Sequence, residues 1–268
     1  MEIPSPTWFV GCGNMAQAMI EGWKAAHVDM SKAVAIRPSG TPVEGLRTVE
    51  SVKEAGPAPQ MMVLGFKPQQ LDEVVPDLGP WITSKTVIIS LLAGTEYASL
   101  RRRFARGTLV RAMPNLPVSI RRGVVALYSE GLDPVQLKQL GDLFAALGFA
   151  MWTQSEKMFG AIGAIAGSGP AYVARFIEAL ARASEALGLP AELSATIARE
   201  TALGTAWMSA SSGETMRDIA RRVASPNGTT EAGLAILDAE SALDRLIAGT
   251  IEAAAERGRS LAEEARLP

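Results

Sequence analysis

A glycine-rich turn near the amino terminus is the first stretch whose residue types and spacing could bind a ligand. Residues 11–16 read GCGNMA, a GxGxxA pattern that follows the apolar run 7–10 and opens a helical pattern. Such a turn brings backbone amides against a pyrophosphate at a helix N-terminus, where the helix dipole favours anions. Because strands flank the motif and its helix, the pattern favours a dinucleotide site over a turn without a ligand. The predicted contacts are Gly11, Gly13, Asn14, Met15 and Ala16.

The end of the second predicted strand indicates which dinucleotide would bind. A site for NAD usually carries Asp or Glu there, which accepts hydrogen bonds from the ribose and repels a 2'-phosphate. This chain has Arg37 and Ser39 instead. An arginine can pair with a phosphate and a serine can donate to it. The pattern therefore predicts NADPH, with NADH possible; the alternative is a surface arginine in a Pro-Ser-Gly turn.

Three further turns follow later predicted strands. They read FKP at 66–68, LAG at 92–94 and MPN at 113–115. In an open parallel sheet the carboxyl ends of the strands line the ligand crevice. Each turn taken alone could be an ordinary loop between two elements. Their shared location at the strand ends predicts a cofactor that lies across all of them. The residues expected to contact it are Lys67, Ala93, Gly94 and Asn115.

These turns require alternating strands and helices to position them. The apolar runs predict strands over 7–10, 33–36, 61–64, 86–91, 108–110, 124–128 and 149–152. Helical patterns lie between them at 15–26, 69–75, 96–104 and 134–146. This order predicts an α/β fold with a mostly parallel sheet and crossover helices. Residues 39–60, rich in Gly, Pro and charge, are expected to hold at most one short helix.

After Trp152 the pattern is helical to the end of the chain. Many alanines and glycines allow helices to approach closely, which predicts a compact helical bundle. The expected domains are a dinucleotide-binding domain over residues 1–153 and an all-α domain over residues 154–268. A small helical domain with so many apolar positions often buries part of its surface in a partner subunit, so we expect a homodimer or a higher homo-oligomer.

Composition narrows the function classes. With 48% hydrophobic residues, 20% charged residues and a formal charge of -2, the chain is typical of a soluble globular protein, and no nucleic-acid partner is expected. The cluster of Arg101–Arg103 with Arg106 is interpreted as a solvated helix face. A single cysteine and the absence of a signal-peptide pattern predict a reducing cytoplasm. No apolar run is long enough to span a membrane, and no metal site is predicted.

Six segments, taken in order, resemble the pyrroline-5-carboxylate reductases of proline synthesis. They are VGCGNMAQAMIEGW, LGFKPQQL, ISLLAGT, VRAMPNLPV, AGSGPAYV and VASPNGTTEAGL, spread over nearly the whole chain. The resemblance implies a Rossmann-type N-terminal domain and a helical C-terminal domain that forms intertwined dimers. It also implies reduction of 1-pyrroline-5-carboxylate to L-proline with NADPH or NADH.

The resemblance also implies roles for individual residues. The cofactor phosphates would meet Asn14, Met15 and Ala16, the 2'-phosphate would lie near Arg37 and Ser39, and the nicotinamide near Lys67, Ala93 and Asn115. The substrate would meet Ser225, Gly228, Thr229 and Thr230.

The last of these segments has a physical explanation. Ser225-Pro226-Asn227-Gly228 is a turn, and the two threonines begin a helix whose first amides lack an internal partner, so a small carboxylate can bind there. A protonated cyclic imine already accepts hydride readily, so the site mainly has to hold it and to offer a hydroxyl to its nitrogen. Thr230 is the candidate for that hydroxyl and the predicted catalytic residue. The alternative is that the threonines only cap the helix.

Three departures from the family pattern bear on efficiency and substrate. The family usually has threonine at Leu116, serine at Ala166 and glycine at Asn227. Two other functions therefore remain open: a reductase of another cyclic imine or small carbonyl acid on the same scaffold, and a non-catalytic dinucleotide-binding protein.

Overall fold

The computed structural model describes residues 2–265, and these form two compact units. The first unit comprises the described residues through 168 and those from 254 onward, and the second comprises residues 169–253. The boundary near residue 153 expected from the sequence stays a prediction. None of the helices in residues 2–265 is long and apolar enough to cross a membrane.

One eight-stranded sheet forms the centre of the first unit. Its strands are β1 (Thr7–Val10), β2 (Ala33–Ile36), β3 (Arg47–Val49), β4 (Met61–Leu64), β5 (Val87–Ser90), β6 (Thr108–Pro114), β7 (Gly123–Tyr128) and β8 (Gly148–Trp152). The spatial order is β3-β2-β1-β4-β5-β6-β7-β8, and β6 with β7 is the antiparallel pair. The order of the first six strands is that of the Rossmann fold, which confirms the predicted fold class.

Helices cover both faces of this sheet. They are α1 (Asn14–Ala25), α2 (Leu71–Leu78), α3 (Tyr97–Arg103), α4 (Pro134–Ala145) and α5 (Glu156–Ile162), and a π-helical turn follows at Gly163–Gly167. Trp8 in β1 belongs to the core on one face and its neighbour Phe9 to the core on the other. Because successive strand residues point to opposite faces, a strand covered on both sides reads as a continuous apolar run. This is why the short runs could be predicted as strands.

Helices alone form the second unit. They are α6 (Gly169–Ala186), α7 (Ala191–Ser212), α8 (Met216–Val223), α9 (Thr229–Asp238) and the first part of α10 (Ala242–Glu264), whose last part belongs to the first unit. Pro190 precedes α7, and Gly213 follows it in the left-handed conformation, so a proline and a glycine mark the two ends of this helix. Many large apolar side chains of this unit are exposed, among them Phe176, Leu180, Leu203 and Ile236.

The structure corrects two of the predictions made from sequence. The segment 39–60 contains β3, which pairs in parallel with β2 and was not predicted. The arginine cluster is not simply a solvated helix face. Arg103 donates to the Asp72 carboxylate with Nε 2.5 Å from Oδ1, and Arg101 donates to the carbonyls of Phe104 and Gly107.

Candidate active site

A cleft of about 1010 Å³ opens in the first unit at the carboxyl ends of β1, β2 and β4. Eight of the residues predicted to bind a cofactor line it: Gly11, Gly13, Asn14, Met15, Ala16, Arg37, Ser39 and Lys67. Because parallel strands end at the same edge, turns that are far apart in sequence meet there. The structure thus brings together the glycine-rich turn and the turn that follows β2.

The two glycines of the turn have different environments. Gly11 has φ +69°, and a Cβ at this position would lie 2.8 Å from the Phe66 backbone nitrogen. The fold itself therefore requires glycine there. Gly13 has φ −77°, and a Cβ on it would meet only the Gly65 carbonyl oxygen, at 3.7 Å. The protein leaves the space above Gly13 open, as a pyrophosphate that approaches the backbone requires.

The start of α1 supplies the attraction for an anion. Gly13 is the N-cap residue, and no side chain caps the helix among the described residues. Its first amides are therefore available to a ligand, and the helix dipole adds a partial positive charge. Gln17 donates from Nε2 to the Cys12 carbonyl at 3.1 Å, which holds the turn against its own helix. The donor set fits a dinucleotide pyrophosphate.

Cys12 lies inside this turn but does not act as a nucleophile in the resting protein. Its side chain is buried, and burial raises the pKa of the thiol to about 11, although the charge of Arg37 acts in the opposite direction. Near neutral pH the thiol is therefore protonated, and a thiol reacts only as its thiolate.

Arg37 and Ser39 lie on a tight turn after β2. The Gly40 amide donates to the Arg37 carbonyl at 2.9 Å, and the hydroxyls of Ser39 and Thr41 are 2.9 Å apart. Arg37 is half-buried, and its guanidinium forms no ion pair with the residues that the structure describes. A cation without a carboxylate partner in a ligand-sized cleft fits a phosphate.

The other predicted cofactor residues do not line this cleft. At Gly94, which has φ +74°, a Cβ would lie 2.8 Å from the Leu261 Cβ, so the glycine allows the last part of α10 to pack on the loop that also contains Ala93. Asn115 accepts from the Val124 amide at 2.8 Å and donates to the Ala166 carbonyl at 3.0 Å. The contacts of Asn115 join the end of β6 to β7 and to the π-helical turn. Cofactor binding by Ala93, Gly94 and Asn115 stays a prediction.

Sequence reasoning missed two groups of residues that line the cleft. Glu50, Ser51 and Lys53 follow β3, and Gln70, Glu73 and Asp77 belong to the turn and helix after β4. Recognition of β3 would have placed the first group at the same edge as Arg37, since neighbouring parallel strands end together.

The predicted substrate residues lie at the start of α9 in the second unit. Gly228 is the N-cap residue, and a Cβ on it would lie 2.3 Å from the Ser225 hydroxyl oxygen, so this turn has room only for glycine. Asn227 has φ +57°, a left-handed conformation that asparagine tolerates. Neither threonine forms a side-chain cap among the described residues. The Asn227 amide donates to the Glu231 carboxylate in the first turn of α9 at 2.6 Å, so one side chain of this helix bonds back to the turn. Anion binding by the α9 amides and capping of the helix both stay predictions.

Two family profiles match this chain. The profile described as "Pyrroline-5-carboxylate reductase dimerisation" matches residues 156–261, which include α6 to α9. The profile described as "NADP oxidoreductase coenzyme F420-dependent" matches residues 8–94, which include the glycine-rich turn and Arg37.

A full-length relative decides the family. The pyrroline-5-carboxylate reductase of Pseudomonas aeruginosa is 36% identical over 264 residues, which cover 96% of both chains. The chain belongs to the pyrroline-5-carboxylate reductase family.

Solved structures of pyrroline-5-carboxylate reductases agree with this assignment. The enzyme of Coxiella burnetii superimposes with a TM-score of 0.88 at 29% identity, covering 97% of this chain and 99% of that one. A pyrroline carboxylate reductase of Plasmodium falciparum, solved with NADP bound, gives a TM-score of 0.86 at 26% identity and covers 96% and 97%. The family fold therefore extends over both units of this chain.

Proposed function

We propose that this protein reduces 1-pyrroline-5-carboxylate to L-proline with a nicotinamide dinucleotide as the hydride donor. The observation that carries the proposal is the 36% identity to a pyrroline-5-carboxylate reductase along 96% of both chains. The cleft at the glycine-rich turn supports it, because it has open space above Gly13 and contains Arg37, which forms no ion pair with the described residues. Gly11, Gly13, Asn14, Met15, Ala16 and Lys67 are proposed to hold the cofactor there.

NADPH is the proposed cofactor, with NADH as a weaker alternative. Arg37 carries a positive charge at the end of β2, where a carboxylate would favour a ribose without the 2'-phosphate. Ser39 on the same turn is exposed and can donate to the phosphate. Both residues line the cleft beside the glycine-rich turn.

Residues at the start of α9 are proposed to bind and orient the substrate. The start of α9 offers its amides to the substrate carboxylate, and the turn over residues 225–228 shapes that seat. Thr230 is half-buried and lies in the first turn of the same helix. Its hydroxyl is proposed to form a hydrogen bond with the imine nitrogen. A bound cofactor would supply a hydride to the carbon of the protonated imine, and the proton already on the nitrogen would remain as the N–H of the secondary amine. Since a protonated imine is already electrophilic, no nucleophile or metal ion is part of this mechanism.

The protein is proposed to act as a homodimer or a larger homo-oligomer. The dimerisation profile of the family matches residues 156–261, and the helices of that region expose large apolar side chains. The domain boundary near residue 153 and the cytoplasmic location stay predictions.

The test is a steady-state assay of NADPH oxidation with 1-pyrroline-5-carboxylate, with NADH in parallel and with proline identified by chromatography. The proposal predicts that proline forms in a ratio of one to one with the oxidised cofactor. Turnover of other cyclic imines or carbonyl acids but not of 1-pyrroline-5-carboxylate would indicate a different substrate on the same scaffold. Binding of NADPH without turnover of any imine would indicate a non-catalytic protein.

A further inference from the structure

The exit of β3 lies beside the exit of β2 in the cofactor cleft. Ile36 pairs with Val49 in the parallel register, and the Arg37 amide donates to the Val49 carbonyl at 2.8 Å. The next residue on each strand therefore leaves the sheet at the same edge. Glu50 and Lys53 line the same cleft as Arg37 and Ser39.

Glu50 places a carboxylate on the turn that contains Ser39. Gly40 closes this turn with φ +64°, and a Cβ on Gly40 would lie 2.8 Å from the Glu50 Oε1 atom. Glu50 forms no ion pair with the residues that the structure describes. A carboxylate here can accept a hydrogen bond from a ribose hydroxyl and opposes a phosphate at the same place.

Lys53 is carried by a short turn that is fixed to β3. The turn spans Val52–Glu54, and Arg47 donates from Nη2 to the carbonyls of Glu54 and Ala55, at 2.7 Å each. The Ser51 hydroxyl donates to the Glu54 carboxylate at 2.5 Å. Lys53 itself is exposed, and its ammonium pairs with no carboxylate in the described part of the chain.

We propose that Glu50 and Lys53 are opposing determinants of cofactor specificity. Glu50 stabilises NADH through its ribose hydroxyl and weakens the binding of NADPH, while Lys53 acts with Arg37 to attract the 2'-phosphate. The balance of these charges sets the ratio of the two affinities. The proposal rests on the proposed function, in which a nicotinamide dinucleotide binds in this cleft.

The test measures the dissociation constants of NADPH and NADH by nucleotide fluorescence for the full-length protein at low ionic strength. These ligands differ only at the 2'-phosphate, so the ratio of their affinities isolates its contribution. E50Q should raise the preference for NADPH about threefold to tenfold, and K53Q should lower it by a similar factor. Each substitution removes one partly solvated charge beside the proposed position of the 2'-phosphate. Added salt should reduce both effects.

Matched controls remove the same charges outside the cleft. E21Q changes an exposed glutamate on α1 and K85Q an exposed lysine before β5, and neither residue lines the cleft. Both controls should leave the ratio within about twofold of the unaltered protein. If E50Q and K53Q also leave it there, the inference is overturned. If the unaltered protein binds neither nucleotide, the proposed function fails and the inference fails with it.

Discussion

Gly11 and Gly13 show how two residues of one type, two positions apart, are required for different reasons. Gly11 adopts a left-handed conformation against the Phe66 backbone, whereas Gly13 has an ordinary backbone and open space. Folding therefore accounts for the first glycine, and the proposed contact with a pyrophosphate accounts for the second. The proposed pyrophosphate site depends on this difference.

Alanine substitutions separate the two reasons. G13A should leave the melting temperature nearly unchanged and weaken NADPH binding at least about tenfold, because the new methyl group takes the space of the pyrophosphate. G11A should lower the free energy of unfolding by about 2 kcal/mol or more through backbone strain and overlap. Thermal unfolding and nucleotide titration measure both. Tight NADPH binding by G13A would remove the turn from the cofactor site.

Thr230 is the residue on which the proposed chemistry depends most. T230A should lower kcat about tenfold or more and leave the dissociation constant of NADPH unchanged, because the proposed partner of the hydroxyl is the substrate and not the cofactor. T230S keeps the hydroxyl and should recover most of the activity, whereas T230V keeps the shape without the hydroxyl and should not. Equal rates for all four proteins would exclude the hydroxyl from the mechanism.

At the scale of elements, an ion pair between buried Arg111 and half-buried Glu156 joins three parts of the first unit. The Nη1 atom of Arg111 in β6 lies 2.5 Å from the Oε1 atom of Glu156 at the start of α5. The same Glu156 oxygen accepts a hydrogen bond from the Tyr97 amide of α3 at 2.6 Å. The Arg111 guanidinium lies 4.3 Å from the centre of the Phe159 ring. Burial lowers the pKa of Arg111, and the Glu156 charge acts against that shift. The pair fixes α3 and α5 to the sheet.

Loss of one partner should therefore destabilise this region. E156Q leaves the Arg111 charge without its counter-ion in a largely buried place, which should cost about 3 kcal/mol of unfolding free energy. D142N is the control, because it breaks the ion pair between Asp142 and Lys138, whose side chains are both exposed, and should cost about 1 kcal/mol or less. Denaturant unfolding measures both. An E156Q protein as stable as the unaltered one would show that the ion pair does not fix these helices.

The elements also show what the sequence could predict. β1, β2 and β4 were predicted with their observed bounds, because strands buried on both faces read as short apolar runs with turn residues at their ends. β3 was missed because its residues Arg47, Thr48 and Val49 show too little apolar character at the sheet edge. With β3, the cleft residues Glu50 and Lys53 were missed as well, since their position depends on strand pairing and not on a local motif.

At the scale of the whole molecule, the helical unit exposes apolar surface that water does not favour. Phe176 on α6 and Leu203 on α7 are 50% and 60% exposed. Among the described residues of the second unit, Ile219 is the only large apolar residue that is buried. A helical unit with such faces is typical of a subunit that buries them against a partner. The sequence indicated this through its apolar periodicity, but not which helix faces stay uncovered.

A charge on these faces should separate the subunits. F176E and L203E should each shift the protein from dimer or larger oligomer to monomer at micromolar concentration, because burial of an unpaired carboxylate in an interface is unfavourable. F176L keeps an apolar side chain and should leave the mass unchanged. Multi-angle light scattering gives the mass directly. An unaltered protein that is monomeric at micromolar concentration would contradict the account of this unit.

In the proposed reaction, the protein transfers a hydride from a nicotinamide ring to the imine carbon of 1-pyrroline-5-carboxylate. The most direct test uses NADPH with deuterium at both C4 positions of the nicotinamide and mass spectrometry of the product. The account predicts that the proline formed carries one deuterium, bound to C5. Proline without deuterium, or no proline at all, would contradict it.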